Sequence, residues 1–225
     1  MSEETKLDFS EDWFNNNIPM WRGIITDKKP RRILEIGSFE GRSTCYMILE
    51  CSKYGSLDIF CIDSWQGGVE HAGKDFNEIE ARFERNVATA ISQVKNPVHI
   101  HKRKGLSSIE LSRMVVNCEG EFDLIYVDGS HEASDVFLDA AMAFKLCAVG
   151  GTLIFDDYKA VHTEEQRFDY PALAINAFIE THANKLQPLR FAVADKSTVD
   201  SKYIDADGGI DPHILYQVYL SKIKN

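Results

Sequence analysis

The sequence predicts an α/β fold in which helices cover both faces of a mostly parallel sheet. Two observations predict it. Short apolar runs alternate with segments of helical periodicity, which is the pattern of βαβ units with strands buried on both faces. The last two apolar runs have no helical pattern between them, so they should pair as an antiparallel hairpin at one edge of the sheet.

The predicted elements follow in order along the chain. Strands are expected at residues 32–37, 57–63, 98–104, 122–128 and 151–157. Helices are expected at roughly 42–54, 75–94, 106–117 and 132–146. A further helix near 171–184 begins at Pro171, a residue suited to the first turn, and the hairpin comprises residues 189–195 and 214–222. Residues 1–29 predict an N-terminal helical extension, and residues 30–225 predict one domain.

The composition restricts the classes of function. With 225 residues, 44% of them hydrophobic, the chain can bury a core as a single domain. A net charge of −10 argues against a nucleic-acid partner, because non-specific affinity for nucleic acid comes from clustered Lys and Arg. No apolar run could span a bilayer, and the first ten residues do not resemble a targeting signal. Five cysteines without CxxC spacing predict reduced thiols in a cytoplasmic protein.

Ligands of open α/β sheets bind at the carboxyl ends of the strands. The first predicted strand ends in E-I-G-S-F-E-G-R-S-T, where Gly37 and Gly41 permit a tight turn and a close backbone approach to a cofactor. An ordinary turn between a strand and a helix remains the alternative. Phe39 stands where a dinucleotide fingerprint has its second glycine, which disfavours NAD and FAD.

The next two strand ends offer further candidates. Asp63 ends the second strand, where its carboxylate can accept both hydroxyls of a ribose, and Trp65 is close enough to lie along an adenine. Alternatively, Asp63 caps a helix together with Gln66. Ser107 follows the third strand, and a helix cap by Ser107 or Ser108 is the alternative there.

The order of the motifs E-I-G-S-F-E-G, I-D-S-W, K-G-L-S, V-D-G-S-H and G-G-T-L-I-F-D-D resembles a class I S-adenosylmethionine-dependent methyltransferase over most of residues 30–222. The V-D-G-S-H motif followed by an acidic pair is similar to metal-dependent sugar O-methyltransferases of antibiotic pathways. The resemblance implies a Rossmann-like three-layer sandwich. Its sheet would have seven strands, mostly parallel, with an antiparallel last strand.

The resemblance also implies S-adenosylmethionine as the cofactor. Glu35, Gly37 and Ser38 would lie along its methionine part. Asp63 would hold the ribose, and Trp65 and Ser107 would border the adenine. The full set of predicted cofactor-binding residues is Glu35, Gly37, Ser38, Gly41, Asp63, Trp65, Ser107 and Asp128.

Three acids end the fourth and fifth predicted strands: Asp128, Asp156 and Asp157. If these strands are parallel neighbours about 4.8 Å apart, the three carboxylates converge. Such crowding raises the pKa of at least one acid unless a cation lies among them, and oxygen ligands suit Mg²⁺, Mn²⁺ or Ca²⁺. We therefore predict a divalent metal site, with Mg²⁺ as the expected ion. Asp128 is also expected to take part in catalysis.

His131 is the predicted general base. A metal-bound substrate hydroxyl becomes more acidic and can attack the sulfonium methyl group in line. The imidazole would lie at the start of a helix, where the helix dipole and the cation favour its neutral, proton-accepting form. The alternative is that Asp156 and Asp157 are turn residues and that His131 is a solvated residue of the first helical turn.

The chain contains further histidines, and two rival functions are compatible with its motifs. His99 and His101 should share the more exposed face of the third strand, and His71 and His162 lie in loops that could border the substrate. A nicotinamide-dependent oxidoreductase and a non-catalytic or metal-independent cofactor-binding protein are the rival functions. The expected partner is a small molecule with an acceptor hydroxyl, whose identity the sequence leaves open. A homo-oligomer is compatible with the sequence.

Overall fold

The computed structural model describes residues 6–67, 73–118, 121–158, 170–189 and 217–225. It divides into two compact units, Met1–Arg113 and Met114–Asn225. The predicted fold class is confirmed: the strands form a seven-stranded, mostly parallel sheet flanked by helices. None of the helices in the described residues is long and apolar enough to cross a membrane.

The first unit contains three parallel strands in the order β3-β2-β1. Its elements are α1 (Ile18–Lys28), β1 (Arg32–Ile36), α2 (Arg42–Cys51), β2 (Leu57–Asp63), α3 (Phe76–Ser92), β3 (Val98–Lys104) and the start of α4 (Ser107–Cys118). The register pairs Ile36 with Ile62 and Asp63 with Lys104. The carboxyl ends of these strands therefore lie side by side, because parallel strands in register end at the same edge.

Helices α1 and α3 show why the flanking segments form where the sequence predicts them. Asp75 caps α3 by accepting hydrogen bonds from the N–H groups of Asn77 and Glu78. The buried apolar residues of α3, namely Ile79, Phe83, Val87 and Ala90, recur at helical spacing. In the predicted N-terminal extension, a short 3₁₀ helix (Asn15–Asn17) precedes α1, whose Met20, Trp21, Ile24 and Ile25 are buried.

The second unit contains four strands in the order β4-β5-β7-β6. Its elements are β4 (Phe122–Val127), α5 (Ala133–Leu146), β5 (Cys147–Phe155), α6 (Pro171–Thr181), β6 (Leu186–Pro188) and β7 (Val218–Lys222). β4 and β5 are parallel, with Val127 opposite Phe155. β7 runs antiparallel to both β5 and β6.

The predicted antiparallel edge is confirmed, but its first strand lies earlier than expected. β6 ends at Pro188, and the N–H of Leu189 continues the pairing by donating to the carbonyl of Tyr219 at 3.0 Å. The remainder of the predicted run, residues 190–195, lies outside the described residues. The shift arises because α6 ends at Thr181, three residues before the predicted helix end, which leaves Leu186 available to the sheet.

The described cysteine side chains agree with the predicted reduced thiols. Cys45, Cys51, Cys61 and Cys147 are free and buried. Burial raises the pKa of the Cys45 and Cys147 thiols to about 12, because a thiolate loses its hydration there. These four thiols are therefore packing residues. The predicted cytoplasmic location stays a prediction.

Candidate functional site

The turn between β1 and α2 forms the first part of the site. Gly37 and Gly41 have positive φ angles of 85° and 80°, which glycine adopts without steric cost. A Cβ atom at Gly41 would lie 2.9 Å from the Phe83 ring, so packing also excludes a side chain there. Phe39 adopts a positive φ of 47° between the two glycines. The backbone is therefore held in a tight turn at the end of β1.

Glu35 is fully buried beneath this turn. Its carboxylate accepts hydrogen bonds from the hydroxyls of Ser38 (2.7 Å), Ser43 (2.5 Å) and Thr44. Burial raises the pKa of Glu35, and the three hydroxyl groups act in the opposite direction. The carboxylate thus ties the turn to the first residues of α2. The predicted contact of Glu35 with the methionine part of the cofactor stays a prediction.

Asp63 connects the end of β2 to the same turn. One carboxylate oxygen accepts hydrogen bonds from the backbone N–H groups of Ser38 (2.9 Å) and Phe39 (2.8 Å). The other accepts from the backbone N–H of Trp65 at 2.6 Å. Each carboxylate oxygen has two lone pairs, so the oxygen that accepts from Trp65 keeps one free lone pair that can accept from a ribose hydroxyl. Asp63 is therefore placed to order the turn and to meet a ligand that lies on it.

The alternative role of Asp63 as a helix cap does not match the structure. The residues after Asp63 form a turn, in which the N–H of Gln66 donates to the Ser64 hydroxyl at 3.1 Å. Among the described residues, which omit 68–72, the next helix begins at Phe76 and is capped by Asp75. The acid at position 63 therefore serves the strand ends of the first unit.

Trp65 is more buried than its predicted contact with adenine suggests. The side chain is 3% exposed, and its indole N–H donates to the carbonyl of Phe39 at 2.9 Å. Its ring lies 5.0 Å from the Phe83 ring and 4.6 Å from the Lys102 ammonium. The hydrogen bond from the Trp65 indole thus stabilises the backbone of Phe39, which has a positive φ angle. Its contact with adenine stays a prediction.

Ser107 is the first residue of α4 and is half-buried. Just before it, the N–H of Gly105 donates to the carbonyl of Asp63 at 2.9 Å, which ties the start of α4 to the end of β2. The first unit therefore brings together, at the carboxyl ends of its strands, the predicted residues Glu35, Gly37, Ser38, Gly41, Asp63, Trp65 and Ser107.

The second unit contains a separate cluster of acids and one histidine. Asp128, His131 and Asp157 are half-buried, and each offers a ligand atom within 4.8 Å of the others. Nε2 of His131 lies 2.8 Å from a carboxylate oxygen of Asp157. Asp157 has a φ of 56°, a left-handed conformation that Asp and Asn tolerate better than other side chains. Two carboxylates and an imidazole form a donor set that fits a divalent cation.

Asp156 faces a different environment from Asp157. One of its carboxylate oxygens accepts hydrogen bonds from the Tyr126 hydroxyl and from Nε2 of Gln217 (2.7 Å). The other accepts from the backbone N–H of Asp157 at 2.8 Å. The Tyr126 hydroxyl also lies 2.9 Å from Asp128. Tyr126 therefore links two of the three predicted metal ligands.

A buried polar chain continues from Asp156 into β7. Gln217 donates to the Tyr126 hydroxyl at 3.1 Å and accepts from the Tyr219 hydroxyl at 2.7 Å. All three side chains are nearly inaccessible to solvent. Sequence reasoning missed these residues, although one indication was present: Gln217 interrupts the apolar run I-L-Y-Q-V-Y-L.

Burial raises the pKa of Asp156 to about 6, and the nearby Asp157 carboxylate adds to this effect. The hydrogen bonds from Tyr126 and Gln217 act in the opposite direction. A phenol has one proton to donate, so Tyr126 bonds to Asp128 and Asp156 at the same time only when one of these two carboxyl groups carries a proton. The geometry and the raised pKa therefore agree.

This environment predicts how the stability of the metal-free protein depends on pH. In the folded state Asp156 keeps its proton up to about pH 6. In the unfolded chain the same carboxyl group loses its proton near pH 3.8, its ordinary pKa. Folded protein therefore binds more protons in that window, and its stability falls as the pH rises. A shift of this size corresponds to about 2 to 3 kcal/mol.

We expect this loss in the wild type but not in Asp156→Asn. The measurement is urea unfolding in EDTA at a series of pH values between 4 and 8. The difference in free energy of unfolding between the two proteins should change by about 2 to 3 kcal/mol over that range. Parallel curves would show that Asp156 ionises normally.

The two histidines of β3 differ in their surroundings. His99 is exposed, while Nε2 of His101 lies 3.0 Å from an Asp58 oxygen and its ring stacks on Phe60 at 4.0 Å. These contacts indicate that His101 has a structural role in β3. His71 and His162 lie outside the described residues.

Comparisons with known proteins identify the family to which the chain belongs. A family model described as a methyltransferase domain matches residues 34–158. The O-methyltransferase hkm8 of Aspergillus hancockii is 28% identical over 130 residues, covering 57% of this chain and 43% of that relative. The chain thus spans less than half the length of this curated relative.

Solved structures share the fold. The O-methyltransferase from Bacillus cereus, in complex with SAH, is 17% identical with a TM-score of 0.60, over 96% of this chain and 84% of that one. TomG from Streptomyces achromogenes, an O-methyltransferase involved in tomaymycin synthesis and solved in complex with SAM, is 15% identical with a TM-score of 0.55. That match covers 97% of this chain and 82% of TomG.

The family match extends over more than half of the 225 residues. It includes the glycine turn after β1 and the acids after β4 and β5. The chain belongs to the methyltransferase-domain family, in agreement with the class I methyltransferases that its motifs resemble.

Proposed function

We propose that the protein transfers a methyl group from S-adenosylmethionine to a hydroxyl group of a small molecule. The observation that carries the proposal is the cluster of Asp128, His131 and Asp157, whose ligand atoms lie within 4.8 Å of one another. Carboxylates can hold a divalent cation, and an imidazole beside them can accept a proton. Both functions favour methyl transfer to a hydroxyl, because the cation lowers the pKa of the hydroxyl and the base takes up its proton.

In this proposal the first unit binds the cofactor. Gly37, Ser38 and Gly41 offer backbone that a ligand can approach, and Glu35 keeps the turn in place. Asp63 holds the ribose hydroxyls, and Trp65 and Ser107 border the adenine. The interlocked hydrogen bonds of Glu35 and Asp63 support the proposal, because they fix the turn before a ligand arrives. The predicted cofactor contact of Asp128 remains part of the proposal.

The second unit activates the acceptor. Asp128 and Asp157 would hold the divalent cation, with Mg²⁺ as the expected ion, and the cation would lower the pKa of the acceptor hydroxyl. Asp156, the third predicted ligand, has both oxygens engaged by Tyr126, Gln217 and the backbone. These contacts leave Asp156 one free lone pair, whereas Asp128 and Asp157 lie together in the cluster with His131, so Asp128 and Asp157 are the better supported ligands.

His131 accepts the proton of the acceptor hydroxyl. S-adenosylmethionine would supply the methyl group: the acceptor oxygen would bond to the methyl carbon as the bond between carbon and sulfur breaks, and the electron pair of that bond would stay on the sulfur. The contact between His131 and Asp157, 2.8 Å long, supports this role because a carboxylate stabilises the imidazolium that forms.

The test uses S-adenosylmethionine with a panel of sugars, phenols and small alcohols, with Mg²⁺ or with EDTA, and detects methylated products by mass spectrometry. Product that depends on both the cofactor and Mg²⁺ is the expected result. Titration with NADH serves as the comparison, because binding of NADH in place of S-adenosylmethionine would favour an oxidoreductase. Methyl transfer that persists fully in EDTA would remove the metal from the proposal.

For the cofactor we expect Asp63→Ala to weaken S-adenosylmethionine binding by about 2 to 4 kcal/mol, since hydrogen bonds to charged groups contribute about 1.5 to 3 kcal/mol each and are not additive. Calorimetric titration measures the change. Asp58→Ala is the matched control, because Asp58 lies on the same strand and contacts His101. Equal affinities of Asp63→Ala and the wild type would show that Asp63 does not contact the ribose.

A further inference from the structure

A short N-terminal segment lies against the glycine turn of the first unit. This segment, residues 8–14, precedes the first helix and has no regular secondary structure. The backbone N–H and carbonyl of Asp8 both bond to the side chain of Asn86, at 2.8 and 2.7 Å. The same Asn86 side chain donates to the carbonyl of Glu40 at 3.0 Å. One residue of α3 therefore joins the segment to the turn.

Glu40 is the centre of this contact. It lies between Phe39 and Gly41 in the turn, and it is 2% exposed. One carboxylate oxygen accepts from the backbone N–H of Ser10 and the other from the Ser10 hydroxyl, both at 2.7 Å. Arg82 also donates to the carboxylate at 2.8 Å. A buried carboxylate needs such partners, so loss of the Ser10 contacts would force Glu40 and its backbone to move.

An aromatic contact adds a second connection to the turn. The ring of Trp13 lies 5.4 Å from that of Phe39, the residue with positive φ at the centre of the turn. The Lys74 ammonium lies 4.8 Å from the Trp13 ring and 5.0 Å from the Phe39 ring, and pairs with Glu11 at 3.0 Å. The segment thus contacts two consecutive residues of the turn through independent interactions.

We propose that the N-terminal segment positions the cofactor turn, and that Ser10, acting through Glu40, is a positioning residue for cofactor binding. This inference rests on the proposed use of S-adenosylmethionine. Phe39 and Glu40 lie between the two glycines whose backbone the cofactor approaches, and the Phe39 N–H already bonds to Asp63. When the segment is docked, the turn is held on both sides. When it is detached, Glu40 loses two donors, and Phe39 and Glu40 lose the contacts that hold their side of the turn.

The coupling must act in both directions. If docking of the segment favours cofactor binding, cofactor binding favours docking by the same factor. The backbone N–H groups of Asp8 and Ser10 are hydrogen-bonded only while the segment is docked. Their hydrogen exchange should therefore slow down when the cofactor product S-adenosylhomocysteine binds.

The experiment compares Ser10→Pro, which removes both donors to Glu40, with Ser10→Thr, which keeps both. We expect Ser10→Pro to weaken S-adenosylhomocysteine binding about tenfold or more, within the usual range of coupling between sites, and Ser10→Thr to bind like the wild type. In turnover, Ser10→Pro should raise the KM for S-adenosylmethionine while kcat at saturating cofactor changes little. Ser10→Ala, which keeps the backbone donor, should show an intermediate effect.

Hydrogen exchange of residues 8–14, with and without S-adenosylhomocysteine, supplies the independent measurement. Slower exchange in the complex supports the proposal. Equal binding by Ser10→Pro and the wild type, or exchange that does not respond to the ligand, would overturn it. If the wild type itself fails to bind S-adenosylhomocysteine, the proposed function fails instead, so the two failures are distinguishable.

Discussion

We expect Asp157→Asn to abolish methyl transfer in the presence of Mg²⁺ and to leave the affinity for S-adenosylmethionine unchanged. The reason is that an amide carries no charge and binds a divalent cation far more weakly than a carboxylate does. Asn is the suitable replacement because position 157 has a φ of 56°, which Asn tolerates. The Asp128→Asn variant should also abolish methyl transfer, and because Asp128 is in addition a proposed cofactor contact, its affinity for S-adenosylmethionine should fall as well.

Turnover with Mg²⁺, metal affinity by calorimetry and cofactor affinity are the three measurements. Asp135→Asn is the matched control, since Asp135 is an exposed acid in the first turn of α5. It changes the net charge by the same amount and should keep full activity. Normal turnover by Asp157→Asn would contradict the metal site.

The second large effect concerns His131. A general base contributes about 10²- to 10⁴-fold to a rate, so His131→Ala should lower kcat by a factor in that range. The affinities for Mg²⁺ and for S-adenosylmethionine should change little, because in the proposal the carboxylates hold the cation. His131→Gln should not restore activity, since an amide cannot accept the proton.

The structure makes this experiment sharper, because Nε2 of His131 is only 2.8 Å from Asp157 and could serve as a metal ligand. A base and a ligand differ in their effect on metal affinity. If His131→Ala loses metal binding in proportion to rate, His131 is a ligand and the base lies elsewhere. His99→Ala is the control, because His99 is exposed on β3.

Much of the sheet could be predicted from local patterns. The predicted limits of β2 and β3 coincide with the observed strands, Leu57–Asp63 and Val98–Lys104. The limits of these strands can be predicted because each apolar or alternating run ends at a polar residue that is followed by a turn. The convergence of Asp128 with the acids after β5 followed from the parallel neighbours β4 and β5.

Other features depend on contacts that no local pattern contains. Asp156 and Asp157 are adjacent in sequence, yet one bonds to Tyr126 and Gln217 and the other lies beside His131. The left-handed backbone at Asp157 places the two side chains in different surroundings. The sequence pattern of an acid after a strand does not indicate the φ angle of that acid. Trp65 is a similar case. Its burial depends on Phe83, which approaches from α3.

The hydrogen bonds of Glu35 and those of Gln217 close chain loops of very different length. Those of Glu35 join residues 3, 8 and 9 positions apart, whereas Gln217 reaches back 61 positions to Asp156 and 91 to Tyr126. Closing the longer loops costs about 2 kcal/mol more in chain entropy. During synthesis the glycine turn can therefore form long before Gln217 leaves the ribosome. Asp156 gains its hydrogen bond from Gln217 only after the chain has been synthesised as far as β7.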